Sequence, residues 1–191
     1  MKTNLKYTTI ALFIATAMSG CKKDEDLAVT PPPVNEEEVI TTMILSFAGQ
    51  SGAMDKELRF TDADGDGGGA PVFELDTLQT ASNYNVTLLL LNETVNPVDT
   101  ISNEVLEEGV DHQFFFQPTG ANITVAYADT DANGTPIGLQ STMTTSAASV
   151  GTLKVTLRHQ PNKSGAGVPS GDITNAGGET DIEVEFPLVI E

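Results

Sequence analysis

The feature that most constrains the fold is an alternation of apolar and polar side chains near the end of the chain. Residues 153–157 read LKVTL and residues 182–186 read IEVEF, so every second side chain is apolar. Successive side chains of a β-strand point to opposite faces, and this pattern therefore predicts strands with one face buried and the other in water. One-sided burial of this kind is typical of antiparallel sheets.

Short runs rich in β-branched and aromatic residues continue this pattern from residue 39 to residue 190, separated by turn sequences such as Asp-Gly and Asn-Gly. Residues 88–91 and 114–116 are continuous apolar runs, which predicts central strands covered on both faces. Residues 99–108 have helical spacing. We therefore predict an all-β fold, an antiparallel β-sandwich that is immunoglobulin-like in the broad sense, with about nine strands and at most one short helix.

The first 20 residues predict a lipoprotein signal peptide. Lys2 and Lys6 precede an apolar stretch over residues 10–18, which is shorter than the roughly 20 residues of a transmembrane helix. Residues 18–21 read MSGC and resemble the lipobox of bacterial lipoproteins, in which the cysteine receives a diacylglycerol and becomes the new N-terminus. Cys21 is the single cysteine of the chain, so no disulfide framework supports the fold.

Residues 21–34 predict a lipidated tether, and residues 35–191 predict the folded domain. Residues 22–26 read KKDED and resemble the signal that many Bacteroidota lipoproteins use to reach the outer face of the outer membrane. Three prolines at residues 31–33 favour a semi-rigid polyproline II spacer. We expect an exported protein, anchored in the outer membrane by its lipid and displayed at the cell surface, with a periplasm-facing anchor as the alternative.

The charge of the chain disfavours nucleic acid as a partner. There are 27 acidic against 9 basic residues, a net charge of −18, and loss of Lys2 and Lys6 with the signal peptide makes it −20. Such a surface repels phosphate backbones, which proteins bind through Lys and Arg clusters. The sequence also has no G-x-S-x-G elbow and no H-E-x-x-H motif, and lipidation removes the one thiol. We therefore expect a protein that is not an enzyme.

Two loops fit the hexad D-x-[DN]-x-[DN]-G, in which side-chain oxygens converge on a hard cation and the glycine permits the turn. The oxygen-bearing residues are Asp62, Asp64 and Asp66 in the first loop, and Asp129, Asp131 and Asn133 in the second. Each loop has a non-acidic residue at the twelfth position, so any calcium affinity is modest. The alternative is that both loops are plain hairpin turns.

The two histidines are candidate ligands of a transition metal such as zinc. His112 follows Glu108 and Asp111 at the start of the predicted strand with the aromatic run, and His159 ends another predicted strand. If the two strand ends meet at one edge, these four residues form a site of nitrogen and oxygen ligands. The alternative is that each histidine is a polar residue at the rim of the sandwich.

Several stretches of the mature chain resemble a small lipoprotein family of flavobacteria and other Bacteroidota. They are residues 35–42, 62–68, 119–127, 157–163 and 171–181. Members are often labelled as having a type 1 periplasmic-binding fold, which implies two α/β lobes, and the β pattern of this chain contradicts that label. The family commonly accompanies TonB-dependent outer-membrane transporters, so the resemblance implies such a partner and the capture of a scarce nutrient.

Together these features predict a non-enzymatic surface lipoprotein that acts as a binding module and captures a metal or another nutrient for a transporter. The alternative is a structural or adhesive sandwich whose acidic loops are stabilised by calcium. Glycan binding is the weakest possibility, because the chain has no Trp and few Tyr residues.

The predicted anchor has a direct test. A Cys21→Ser variant should leave the membrane fraction and appear in the soluble fraction, because the acylated residue is gone. Fractionation of cells followed by immunoblotting measures this, and a variant that still partitions fully with membranes contradicts lipidation at Cys21.

Overall fold

The computed structural model describes residues 38–65 and 67–191. The predicted signal peptide, the tether with Cys21, and Asp66 therefore lie outside the described residues. Within residues 38–65 and 67–191, no helix has the length and apolar character needed to cross a bilayer. The strands of the described part are β1 (Thr42–Gly49), β2 (Lys56–Thr61), β3 (Val72–Leu75), β4 (Asn83–Leu91), β5 (His112–Thr119), β6 (Ile123–Tyr127), β7 (Gln140–Thr145), β8 (Ser149–His159) and β9 (Glu179–Ile190). One α-helix, α1 (Ile101–Glu107), and two short 3₁₀ turns (Val168–Ser170 and Ile173–Asn175) complete the elements.

The nine strands form two antiparallel sheets that pack face to face, which confirms the predicted all-β sandwich. One sheet has six strands in the order β3-β2-β1-β4-β7-β6, and the other has three in the order β5-β8-β9. The inner faces supply one continuous apolar core. Its largest fully buried side chains include Tyr84, Phe47, Phe114 and Phe186.

The short helix replaces a neighbouring strand beside the second half of β4. Strand β7 pairs with β4 only as far as Thr87. Beyond that point the amide of Leu88 donates to the carbonyl of Leu139, and the amide of Leu90 donates to Ser102 Oγ on α1. Val105 of the same helix is fully buried in the core. The helix therefore accepts a hydrogen bond from the backbone of β4 and also covers the edge of that strand.

The continuous apolar run in β5 is covered on both faces, as its sequence predicts. Phe114 packs in the core between the sheets, whereas Phe115 lies on the opposite face beneath Val168 and Ala176. These last two residues belong to residues 160–178, which we call the covering segment. Gln113 Nε2 donates to the carbonyl of Val168 at 2.9 Å and fixes the covering segment to the strand.

A buried ion pair holds the covering segment to two loops. Lys163 Nζ lies 2.7 Å from Asp131 Oδ2 and donates a second hydrogen bond to the carbonyl of Gly109. The two side chains are only 7% and 1% exposed. Gly109 lies just before β5, so this lysine joins the segment after β8 to the segment before β5.

We expect Lys163→Met to lower the free energy of unfolding by about 3–5 kcal/mol, because it leaves the buried Asp131 carboxylate without its cation. Chemical denaturation measures this loss. Lys154→Met is the matched control, since Lys154 forms a 2.8 Å pair with Glu183 at the surface and should matter much less. Equal losses in the two variants would contradict the role of burial.

Candidate metal centre

His112 and His159 are direct partners in the β5–β8 register. His112 begins β5 and His159 ends β8, so the pair stands at one end of the three-stranded sheet. Alternation along each strand places His112 on the same face as Phe114 and His159 on the same face as Leu157, which is the inner face of the sandwich. The residues are 3% and 8% exposed. The sheet thus brings two imidazoles together at the end of the core.

The hydrogen bonds of the pair determine which nitrogen is available to a ligand. His112 Nδ1 lies 3.1 Å from the carbonyl oxygen of Glu108. A carbonyl oxygen only accepts, so Nδ1 carries the hydrogen and Nε2 points at the second histidine. His112 Nε2 and His159 Nδ1 are 3.0 Å apart, and one hydrogen lies between them. Metal-binding histidines commonly donate their other ring N–H to a backbone carbonyl in this way.

A β-bulge adds a carboxylate to the two imidazoles. The β8–β9 register passes from Leu157–Ile182 to Arg158–Thr180, so Asp181 is the extra residue of the bulge. Without the bulge Asp181 would lie on the outer face, opposite Arg158. Bulges redirect side chains in this manner, and Asp181 Oδ2 lies 3.8 Å from His112 Nε2. Among the described residues, His112, His159 and Asp181 form the one group of three potential metal ligands whose donor atoms all lie within 4.8 Å.

The turn before β9 brings that strand close to His159. Gly178 has a φ of +72°, and a Cβ added there would lie 2.3 Å from the carbonyl oxygen of His159. Only glycine fits both the left-handed backbone and the close approach. Gly178 therefore allows β9 to start against the end of β8, three residues before Asp181.

Glu38 lies among other acidic side chains, one of which is Asp181 of the cluster. Glu38 is half-buried, and its carboxyl group is hydrogen-bonded to that of Glu104 on α1. Burial, the hydrogen bond and charge of the Glu104 carboxyl, and the charges of Asp181 and Glu108 together raise the pKa of Glu38 to about 8. Burial is the largest of these causes. The charged groups with the largest effect on Glu38 are thus all negative.

Of the four residues that the sequence suggested for this site, the structure brings two together and leaves the side chains of the other two exposed. His112 and His159 lie in contact. Glu108 contributes its backbone carbonyl to His112, while its side chain is exposed near Glu38. Asp111 is exposed, and its carbonyl accepts a hydrogen bond from Gln160 N. Sequence reasoning missed Asp181, which the bulge places at the cluster.

The donor atoms suit a borderline transition metal. In tetrahedral coordination at Zn–N distances of about 2.0–2.1 Å, two ligand nitrogens stand roughly 3.3 Å apart. The 3.0 Å between the imidazole nitrogens needs to open by a few tenths of an ångström. The Asp181 carboxylate needs to move toward the ion, because its Oδ2 is 3.8 Å from His112 Nε2 and the donor atoms of the group are spread over as much as 4.8 Å. Two imidazoles and one carboxylate are a ligand set found in zinc, nickel, copper and non-haem iron sites. Whether a metal binds stays a prediction.

The second acidic loop uses its carboxylates within the fold. Asp129 accepts hydrogen bonds from the amides of Gly138 and Gln140. Asp131 accepts from the amides of Asn133 and Thr135. Burial alone would raise the pKa of Asp131, but the hydrogen bonds from Lys163, Thr135 and Asn133 outweigh it and hold this pKa well below its usual range. These contacts are those of a structural turn.

The first acidic loop is described except for Asp66. Asp64 Oδ2 accepts a hydrogen bond from the amide of Gly69 at 3.0 Å. Asp62 Oδ1 is buried and accepts no hydrogen bond from the described residues. The calcium hypothesis for the two loops stays a prediction.

Comparison with known proteins adds no functional information. No protein-family model matches the chain, and no curated protein or solved structure matches it either.

The pKa of Glu38 leads to a prediction for the metal-free protein. Because this pKa rises from 4.5 to about 8 on folding, the folded state loses stability as the pH rises through that interval. Gln resembles the protonated carboxyl and does not titrate. Glu38→Gln should therefore have a higher melting temperature than the wild type at pH 8, and this advantage should shrink to nothing near pH 4.

Thermal melts between pH 4 and pH 9 in the presence of a chelator measure the difference. Glu107→Gln removes an exposed charge from α1, the helix that carries Glu104, and serves as the control. If both variants behave alike at every pH, net charge rather than the surroundings of Glu38 explains the effect.

Proposed function

We propose that this chain is a lipid-anchored binding protein that captures a transition-metal ion through His112, His159 and Asp181. The 3.0 Å contact between His112 Nε2 and His159 Nδ1 carries the proposal. When a metal ion binds between the two nitrogens, the hydrogen that joins them leaves His159 Nδ1, and neutral His159 carries its one ring hydrogen on Nε2 instead. Asp181 supplies the negative charge. The role is binding rather than catalysis.

The burial of the pair favours a binding role over an incidental contact. Polar side chains at the end of a core cost stability unless they are hydrogen-bonded, and hydrophobic residues would pack there at lower cost. This sandwich instead places two histidines in register and adds a bulge beside them. Local departures from the stablest arrangement cluster at functional sites.

The ligand chemistry restricts the metals to be considered. Calcium takes six to eight oxygen ligands, which this cluster does not supply. Copper(I) prefers thiolate or thioether ligands. Imidazole nitrogen with one carboxylate favours zinc and the neighbouring divalent transition metals, and we take zinc as the probe.

The place of action is proposed from the sequence. The lipobox-like residues 18–21 and the KKDED sequence at residues 22–26 support an outer-membrane anchor and surface display. Capture at that surface serves uptake, and the family resemblance suggests a TonB-dependent transporter as the partner that receives the metal.

The rival function is a structural or adhesive sandwich with calcium in its acidic loops. The internal hydrogen bonds of Asp129 and Asp131 speak against calcium in the second loop. The buried oxygen of Asp62 keeps the first loop as the better calcium candidate. The two functions differ in which metal the protein binds.

Calorimetric titration of the metal-free mature protein with zinc, and separately with calcium, tests the proposal. We expect one zinc ion per chain and a loss of at least tenfold in affinity for His112→Ala, His159→Ala and Asp181→Ala. Each substitution removes a ligand, and tenfold corresponds to about 1.4 kcal/mol. Asp111→Asn, an exposed acid one residue from His112, is the control and should bind as the wild type does.

Zinc binding that persists unchanged in all three ligand variants would show a site elsewhere. Calcium binding that raises the melting temperature, with no response to zinc, would support the structural alternative.

A further inference from the structure

We infer that Lys163 is a positioning residue of the metal centre. It holds the turn of residues 108–111 in place, and this turn keeps His112 Nε2 directed at the ion. The inference rests on the proposed function, because it concerns the same site. It also gives the second acidic loop a role, since Asp131 of that loop anchors Lys163.

The turn between α1 and β5 supplies the group that orients His112. The carbonyl of Glu108 accepts hydrogen bonds from His112 Nδ1 at 3.1 Å and from the amide of Asp111 at 2.8 Å. The first of these bonds keeps the hydrogen of His112 on Nδ1 and leaves the lone pair of Nε2 for a metal. The position of this carbonyl therefore decides which nitrogen of His112 is the ligand.

The turn is fixed at Gly109, which is buried while its neighbours in the turn are exposed. The carbonyl of Gly109 accepts a hydrogen bond from Lys163 Nζ, and a Cβ added to this glycine would lie 2.6 Å from Ile137 Cδ1. Exposed loop backbone with few buried contacts opens at a low cost in free energy. The lysine thus holds a turn that would otherwise move, one residue from the carbonyl of Glu108.

Lys163 can hold this turn because its own position is fixed. Its Nζ lies 2.7 Å from Asp131 Oδ2, and both side chains are buried. Asp131 in turn accepts hydrogen bonds from the amides of Asn133 and Thr135. A buried ion pair stabilises a fold no better than well-packed apolar side chains do, and in some proteins it serves to specify one arrangement. In this chain the arrangement specified is that of the turn before His112.

A second contact links the covering segment to both histidines. The amide of Gln160, the residue after His159, donates to the carbonyl of Asp111, the residue before His112, at 2.6 Å. Lys163 follows three residues later in the same segment. A shift of the covering segment therefore reaches the histidine pair at both strand ends.

The test uses the mature lipidated protein in detergent and three variants. Lys163→Met removes the hydrogen bond to Gly109 and leaves the Asp131 carboxylate unpaired. Lys163→Met combined with Asp131→Asn also lacks that bond but buries no unpaired charge, so its stability should lie closer to that of the wild type. Val168→Ala is the control, since Val168 is fully buried against Phe115 and its truncation weakens the covering segment without removing a contact of the turn.

Two quantities are measured for each variant. Competition with a chromophoric chelator gives the zinc affinity, at a temperature at which circular dichroism shows that every variant is folded. Nitrogen-15 NMR of the metal-free protein reports which ring nitrogen carries the hydrogen. The chain has two histidines, so the ring signals are few enough to assign.

We expect both variants that lack Lys163 to bind zinc about tenfold more weakly, as is typical when a group that supports a metal ligand is lost. In both, the hydrogen of His112 should move partly from Nδ1 to Nε2, because the Glu108 carbonyl no longer stays in place. Val168→Ala should keep the wild-type affinity and tautomer although it is less stable. A purely structural role of Lys163 would not produce this pattern.

The outcomes separate this inference from the function on which it rests. Zinc affinity that falls in step with stability, with Val168→Ala included, would overturn the inference. Wild-type affinity in the double variant would overturn it too, and so would a His112 hydrogen that stays on Nδ1 in both variants that lack Lys163. No zinc binding by the wild-type protein would overturn the proposed function itself, whereas NMR of the metal-free protein would still show whether Lys163 controls the tautomer of His112.

Discussion

The β5–β8 pairing is the interaction on which the rest of the site depends. Its register sets His112 opposite His159 and continues through the apolar core to Leu153. A slip of one residue would turn every side chain of one strand to the other face, which the burial of Phe114 and Leu157 forbids. The packing of the core therefore also fixes the distance between the imidazoles. Stability and site geometry have the same physical origin here.

Four local features then build a candidate metal centre around this histidine pair. The end of α1 presents a carbonyl that orients His112. The bulge in β9 turns Asp181 inward, and Gly178 lets β9 start close to His159. Lys163 connects the segments on either side of the pair through Gly109 and Asp131. The bulge and Gly178 lie at the start of β9, where the sheet imposes fewer constraints than in its centre.

The sequence predicted the fold well because alternation and turn residues carry local information. It also offered His112 and His159 as ligands of one site, since both stand at the ends of predicted strands, although it held no information on which strands pair. The sequence did not predict Asp181 as a ligand, and the reason is physical. Counting back from the inward Ile182 assigns Asp181 to the outer face with Glu183, and only the bulge reverses that assignment. Glu38 lies in the acidic run of residues 36–38 at the start of the predicted domain, where the sequence does not distinguish it from its neighbours.

Anomalous diffraction at the zinc edge from crystals of the zinc-loaded protein tests the central claim most directly, since it locates the ion without reference to any variant. If the metal binds at His112, His159 and Asp181, we expect one strong peak about 2.0–2.1 Å from His112 Nε2 and His159 Nδ1, with the Asp181 carboxylate at a similar distance. A peak at the acidic loops, or none within reach of the two imidazoles, would contradict a metal centre built on this strand pair.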